Sequence, residues 1–77
     1  MGLLQRFSKY HKELDALLNR VNNNAENNYK DAAQQYFKEF CNKFEELRAD
    51  NKLNNKQIYY YTRMKSIYEQ KLKGFHH

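Results

Sequence analysis

The sequence contains no proline, only two glycines and a single cysteine. Without proline, no helix is expected to kink from that cause. One cysteine cannot form an internal disulfide, so we expect a reducing compartment, the cytoplasm. The chain also lacks a glycine-rich phosphate loop and an apolar run long enough to span a membrane. These absences exclude disulfide-rich and P-loop proteins and favour a small cytoplasmic domain.

The length of 77 residues predicts a single domain, residues 1–77. A chain this short buries only roughly 60% of its unfolded surface, so its core must be dense. Seven tyrosines and five phenylalanines supply large apolar side chains for that core. Charged residues make up 30% of the chain, and both signs are mixed along it, which argues against a disordered charged tail.

The net charge of +5 is unevenly distributed. Residues 1–22 carry +2, residues 23–51 carry −2 and residues 52–77 carry +5. A basic region on a small domain suggests an anionic partner such as nucleic acid, a membrane surface or an acidic protein. A solvated helix face with a favourable cationic C-terminal end is the simpler alternative, because the helix macrodipole also favours cations there.

Apolar residues near the N-terminus recur at alternating spacings of four and three, which predicts a helix over about residues 3–21. The seam consists of Leu3, Phe7, Tyr10, Leu14, Leu17 and Val21. A second column beside it, Leu4, His11 and Leu18, widens the apolar face. We interpret His11 as an imidazole at the edge of the core rather than as a ligand.

The asparagine-rich segment 22–28 predicts the first connection, because asparagine favours turns and helix N-caps. A second helix is predicted over about residues 25–50, with a capping box at Asn23 and Glu26 or at Asn28 and Asp31. At about 39 Å it would overhang neighbours of about 30 Å. We expect Cys41 to be a small buried apolar residue. One helical face carries Tyr29, Ala33, Tyr36, Phe37, Phe40, Cys41, Phe44 and Leu47.

The third helix is predicted over about residues 55–73. Asn54 and Gln57 have the spacing of a capping box, and Leu53 and Ile58 have that of a hydrophobic staple. Gly74 suits the position after a helix end. Because the connections are short, the three helices should run antiparallel. The predicted fold is therefore an all-α, three-helix antiparallel bundle, which self-association would complete.

Helix 3 has two distinct faces on a helical wheel. The predicted core face holds Ile58, Tyr61, Met64, Tyr68, Leu72 and Phe75, with Lys65 inside the arc. Rings and positive charge share the opposite face, since three consecutive tyrosines cannot lie on one side of a helix. The candidate partner-binding residues are Lys56, Tyr59, Tyr60, Arg63, Ile67 and Lys71.

Exposed tyrosine and arginine are enriched among residues that dominate protein interfaces. We therefore expect a non-enzymatic binding module that regulates or inhibits a larger protein. Self-association is also expected, because the long second helix and residues such as Leu4, Leu18 and Ile67 give more apolar surface than one small core needs. The alternative is a nucleic-acid-binding protein that contacts phosphates through helix 3. We expect no catalytic residue, metal site or cofactor, and a membrane-surface role ranks below the other two. His76 and His77 are interpreted as a tag or a frayed end.

Overall fold

The computed structural model describes residues 11–73 and confirms the all-α three-helix bundle. Helix α1 spans Lys12–Glu26, α2 spans Lys30–Ala49 and α3 spans Asn55–Lys73. At one end of the bundle Leu14 of α1 clusters with Phe44 of α2 and Tyr61 of α3, and at the other end Ala25 clusters with Ala33 and Leu72. Each consecutive pair of helices is therefore antiparallel, and α1 runs parallel to α3.

The centre of the core is aromatic. The rings of Phe40 and Phe44 stack with their centroids 5.9 Å apart, and each lies 6.1 Å from the ring of Tyr61. Such ring pairs contribute about 0.5–1.5 kcal/mol beyond their buried area. The predicted aromatic face of α2 therefore meets the predicted core face of α3. Two buried clusters make up the core, namely Leu14, Leu18, Phe40, Phe44, Leu47, Leu53 and Tyr61, and Val21, Ala25, Ala33 and Leu72.

The first connection lies later than predicted. Helix α1 continues through the asparagine-rich segment to Glu26, and only residues 27–29 separate it from α2. The predicted end at residue 21 and the capping box at Asn23 are therefore wrong. Buried Ala25 follows buried Val21 by four residues, so the apolar stripe runs one turn further than the large side chains suggest.

Asparagine side chains support this last part of α1. Asn24 donates a hydrogen bond from Nδ2 to the carbonyl of Arg20 at 2.7 Å, and Asn27 donates one to the carbonyl of Asn23 at 2.9 Å. Both bonds run back four residues along the helix. Asparagine thus bonds to the helical backbone here instead of competing with it.

Helix α1 begins at Lys12, because His11 is its N-cap and has an extended backbone with φ −93° and ψ 125°. The predicted helix over residues 3–21 therefore does not pass through position 11. Leu3, Leu4, Phe7 and Tyr10 of the predicted seam lie outside the described residues. Leu14 and Val21 of the predicted seam are fully buried on α1. Leu17 of the same seam is only half-buried, whereas Leu18 of the column beside it is buried, so residues of both columns line the core.

Helix α2 is shorter than predicted. Its 20 residues correspond to about 30 Å, which matches the 19 residues of α3, so the overhang predicted over the third helix is wrong. Helix α1 has only 15 residues, about 23 Å, so α2 still exceeds it by about one turn. Tyr29 precedes the helix and is 63% exposed rather than part of the aromatic face. The reason is local, because Asn28 has a positive φ of 63° and interrupts the helix.

Both α1 and α2 end in the same backbone motif. Asn28 and Asn51 adopt left-handed φ values of 63° and 57°. After α1, the N–H of Asn28 bonds to the carbonyl of Ala25, and the N–H of Tyr29 bonds to that of Asn24. Equivalent bonds of 3.1 and 2.9 Å follow α2. These are Schellman motifs, in which asparagine takes the position usually held by glycine.

The start of α3 confirms the predicted capping box, and the packing of Leu53 and Ile58 in one cluster agrees with the predicted staple. The Gln57 N–H donates to Asn54 Oδ1 at 2.8 Å, and the Asn54 N–H donates to Gln57 Oε1 at 2.9 Å. Leu53 is buried in the main cluster, and Ile58 packs against that cluster. Two backbone donors at the helix end are thus satisfied reciprocally, which fixes where α3 begins.

Replacing Asn54 with alanine is expected to lower the free energy of unfolding by about 1 kcal/mol, because the cap for the Gln57 N–H is lost. Urea denaturation followed by circular dichroism measures the change. Asn55→Ala is the matched control, since Asn55 is the exposed first residue of the helix. Equal losses in the two variants would show that the cap does not stabilise the helix start.

Candidate functional site

Helix α3 presents one face to the core. Tyr61 and Leu72 are buried, and Ile58, Met64 and Tyr68 are half-buried against the clusters, as predicted. Phe75 of the same predicted face lies outside the described residues. Because these residues occupy one side of the helix, the residues opposite them are left for solvent or a partner.

The opposite side carries four residues that we call the outer stripe: Lys56, Tyr59, Arg63 and Ile67. All four are exposed, with Tyr59 at 65% and Ile67 at 48%. Tyr59, Arg63 and Ile67 follow one another at intervals of four residues, so they are neighbours on the helix surface. An aromatic ring, a guanidinium and a branched aliphatic chain thus form one continuous surface over about two turns of helix.

Within the outer stripe, Arg63 is held by Tyr59. Arg63 Nη1 lies 3.3 Å from the Tyr59 hydroxyl, to which it donates a hydrogen bond. The guanidinium carbon lies 5.8 Å from the centroid of the same ring, within the range of a cation–π contact. The guanidinium is therefore oriented by its own helix, and part of its rotamer freedom is already lost before any partner binds.

The structure separates Tyr60 from the other predicted site residues. Tyr60 is half-buried and packs against the main cluster, and its ring meets that of Tyr61 edge-on at 4.9 Å and 78°. Its ring thus belongs to the margin of the core rather than to the outer stripe. A truncation of Tyr60 would therefore change the stability of the core as well as any surface it borders.

Lys71 is exposed but lies at the border between α1 and α3. Its ammonium donates a hydrogen bond to Asn22 Oδ1 at 3.1 Å and lies 5.7 Å from the ring centroid of Tyr68. These contacts tie Lys71 to the bundle. Of the six predicted partner-binding residues, four form the outer stripe, while Tyr60 and Lys71 flank it on the side of α1.

A partly buried polar network that the sequence reasoning missed centres on Tyr61. Its hydroxyl accepts a hydrogen bond from the His11 N–H at 2.7 Å and donates one to Asp15 Oδ1 at 2.6 Å. Burial raises the pKa of the Tyr61 hydroxyl, and the Asp15 bond raises it further, so it stays protonated. Burial likewise raises the pKa of the Asp15 carboxyl, and the hydrogen bond from Tyr61 opposes this. The network joins the first turn of α1 to the middle of α3.

An open groove of about 430 Å³ runs between α1 and α2. Lys43 projects there and pairs with Glu13 at 3.5 Å and with Glu46 at 3.3 Å. Its ammonium charge is therefore balanced by neighbouring carboxylates, unlike the charges on α3. The groove is lined by Glu13, Ala16, Leu17, Arg20, Glu39 and Lys43.

Cys41 is half-buried beside the main cluster, and burial raises the pKa of its thiol. This agrees with a small packing residue rather than with an activated nucleophile. Across residues 11–73, no group of three or more potential metal ligands occurs. The helices of the described part are each too short or too polar to cross a bilayer.

Comparison with known proteins yields no match to a family model, to a curated protein or to a solved structure. The fold and the surface define the chain as a small all-α, three-helix domain with an exposed aromatic and cationic stripe on α3.

Proposed function

We propose that this protein is a non-enzymatic binding module that docks on a larger protein through the outer stripe of α3 and thereby regulates or inhibits it. The observation that carries the proposal is the exposure of Tyr59, Arg63 and Ile67 as adjacent residues on one helix face. The core uses the other face of α3, so this stripe has no packing role within the described bundle.

The chemistry of the outer stripe supports a protein partner. Tyrosine and arginine are the residues enriched where truncation most weakens protein binding, and Ile67 adds apolar area beside them. Isoleucine has neither the charge that neutralises a phosphate nor the aromatic ring that stacks on an unpaired base. The Arg63 guanidinium, already held on the Tyr59 ring, offers a directed donor to a carboxylate or carbonyl.

A nucleic-acid partner is the second candidate, and the charge of α3 favours it. The helix carries five basic residues and one acid, a balance of +4. Phosphate neutralisation by these side chains would give affinity that falls steeply with salt. The distribution of charge weighs against it, because Lys65 is half-buried and Lys71 is hydrogen-bonded to Asn22.

Self-association stays a prediction, but part of its basis has changed. It rested on surplus apolar residues and on an overlong second helix. Leu18 is buried in the core, and α2 matches α3 in length. Ile67 is the remaining apolar residue of that argument within the described part of the chain.

Affinity capture from the source cells tests the proposal. The bait carrying Tyr59→Ala and Arg63→Ala should lose a protein that the wild-type bait retains, with at least about a tenfold fall in its recovery. The free energy of unfolding should change by no more than about 1 kcal/mol, since both side chains are exposed. Quantitative mass spectrometry and urea denaturation provide the two measurements.

The matched control carries Tyr29→Ala and Lys38→Ala. This pair also removes one exposed tyrosine and one exposed cation, but from the start and the outer side of α2. It should retain the captured protein. If both double variants lose the same proteins, the outer stripe is not the binding surface, and the proposed function fails.

A further inference from the structure

The positive charge of the described chain is concentrated on α3. Helix α1 has two bases and three acids, and α2 has four of each, whereas α3 has five bases and one acid. Within residues 11–73, none of the five basic side chains of α3 has a carboxylate within 4 Å. On α2, by contrast, both Lys43 and Arg48 pair with carboxylates. The bundle thus leaves the cations of α3 without acidic partners of its own.

The outer face of α3 has the spacing of a second helix-packing seam, distinct from the one predicted on the first helix. Lys56, Arg63 and Gln70 are each seven residues apart and form its middle column. Tyr59 and Ile67 lie on either side of that column, at about 40° from Arg63 on the helical wheel. The seam therefore consists of a polar, cationic centre with apolar flanks, and it extends over about 21 Å of helix.

A second copy of this chain fits the seam poorly. In a symmetric dimer formed through this face with the columns in register, Arg63 of one copy lies opposite Arg63 of the other, whether the two helices are parallel or antiparallel. In the parallel arrangement, Lys56 also lies opposite Lys56. Like charges placed opposite each other at an interface disfavour it. A partner helix with carboxylates in the facing column would instead pair with both cations.

We infer that the partner docks on this seam with an acidic amphipathic helix, which carries Glu or Asp every seven residues and apolar residues beside them. This inference rests on the proposed function and specifies the chemistry of its partner. Carboxylates seven residues apart repeat about every 10.5 Å, which is the rise between Lys56 and Arg63. Arg63 is the main anchor, because its guanidinium is already held by Tyr59 and can take a carboxylate with two parallel hydrogen bonds.

The test uses two synthetic helical peptides of about three heptads that differ in one column. One carries Glu in the central column between Leu flanks, and the other carries Lys at the same positions. Each is labelled, and its binding to the full chain is measured by fluorescence anisotropy. We expect the acidic peptide to bind at least about tenfold more tightly, with a difference that shrinks as salt is added.

Charge reversal identifies the site. Arg63→Glu should remove the preference for the acidic peptide and favour the basic one. Lys38→Glu makes the same charge change at an exposed position of α2 and should leave the preference intact. Equal binding of both peptides to the wild-type chain, or a preference that Arg63→Glu does not alter, would overturn the inference.

Two further measurements identify other occupants of the seam. Sedimentation velocity of the chain alone would overturn the inference if it showed a dimer that Arg63→Ala dissociates. Labelled single-stranded and double-stranded DNA would overturn it if they bound more tightly than the acidic peptide and lost that binding in Arg63→Glu. If affinity capture depends on the outer stripe but the chain shows no preference for the acidic peptide, only the acidic-helix inference fails. If affinity capture does not depend on the outer stripe, the proposed function itself fails.

Discussion

Replacing Tyr61 with alanine is expected to lower the free energy of unfolding by about 3–5 kcal/mol. Tyr61 is fully buried, its ring lies against those of Phe40 and Phe44, and truncation would leave a cavity between all three helices. A domain of 77 residues is typically stable by roughly 4–12 kcal/mol. The variant should therefore be close to unfolded, which far-ultraviolet circular dichroism in a urea series would show.

Tyr61→Phe separates the hydroxyl from the ring. It keeps the packing but leaves the His11 N–H and the Asp15 carboxyl without their shared partner, so a loss of about 1–3 kcal/mol is expected. Tyr59→Ala is the control, since Tyr59 lies two residues earlier and is exposed. If Tyr59→Ala destabilised the protein as much as Tyr61→Ala, the assignment of the two faces of α3 would be incorrect.

The second large effect is expected at Ala25. Ala25→Asp should destabilise the protein by about 3 kcal/mol or more, because position 25 is only 8% exposed and clusters with Val21, Ala33 and Leu72. An aspartate there would place a charge without a partner between α1, α2 and α3. Thermal and urea denaturation would measure the loss.

Asn23→Asp is the matched control for Ala25→Asp. Asn23 is exposed and lies in the same last turns of α1, so both changes carry the same small cost of an anion near a helix C-terminus, about 0.3–1 kcal/mol. Only Ala25→Asp should add the cost of burial. If the two variants were equally stable, residues 22–26 would behave as a loop rather than as the end of α1.

Sequence reasoning succeeded where structure is determined locally. The start of α3 depends on Asn54 and Gln57, which lie three residues apart, so the capping box can be predicted from spacing alone. The aromatic face of α2 follows from helical periodicity in the same way. Both features require no knowledge of the other helices.

The predicted end of α1 was wrong because Ala25, the residue that extends the apolar face, is small. Alanine contributes little to a hydrophobic pattern, yet Ala25 is buried with Ala33 and Leu72 and continues the core by one turn. The surrounding asparagines suggested a loop by composition. Tertiary packing and the backward hydrogen bonds of Asn24 and Asn27 outweighed that local preference.

Only part of the candidate site could be predicted from the sequence, for a related reason. The three consecutive tyrosines predict that at least one ring faces outward, and Tyr59 does so. Periodicity gives the angle of Tyr60 but not the edge-on contact of its ring with Tyr61. The bonds from Tyr61 to Asp15 and His11 span 46 and 50 residues, so no local pattern could reveal them.

The central claim is that a protein partner contacts the outer stripe of α3. Photocrosslinking in the source cells tests it most directly, with a photoreactive phenylalanine in place of Gln70, an exposed residue of the same face. The same group in place of Lys38 on α2 is the control. We predict a protein adduct from position 70 that excess wild-type chain prevents and the Tyr59→Ala and Arg63→Ala variant does not. Adducts of equal yield from both positions, or none from position 70, would contradict the account.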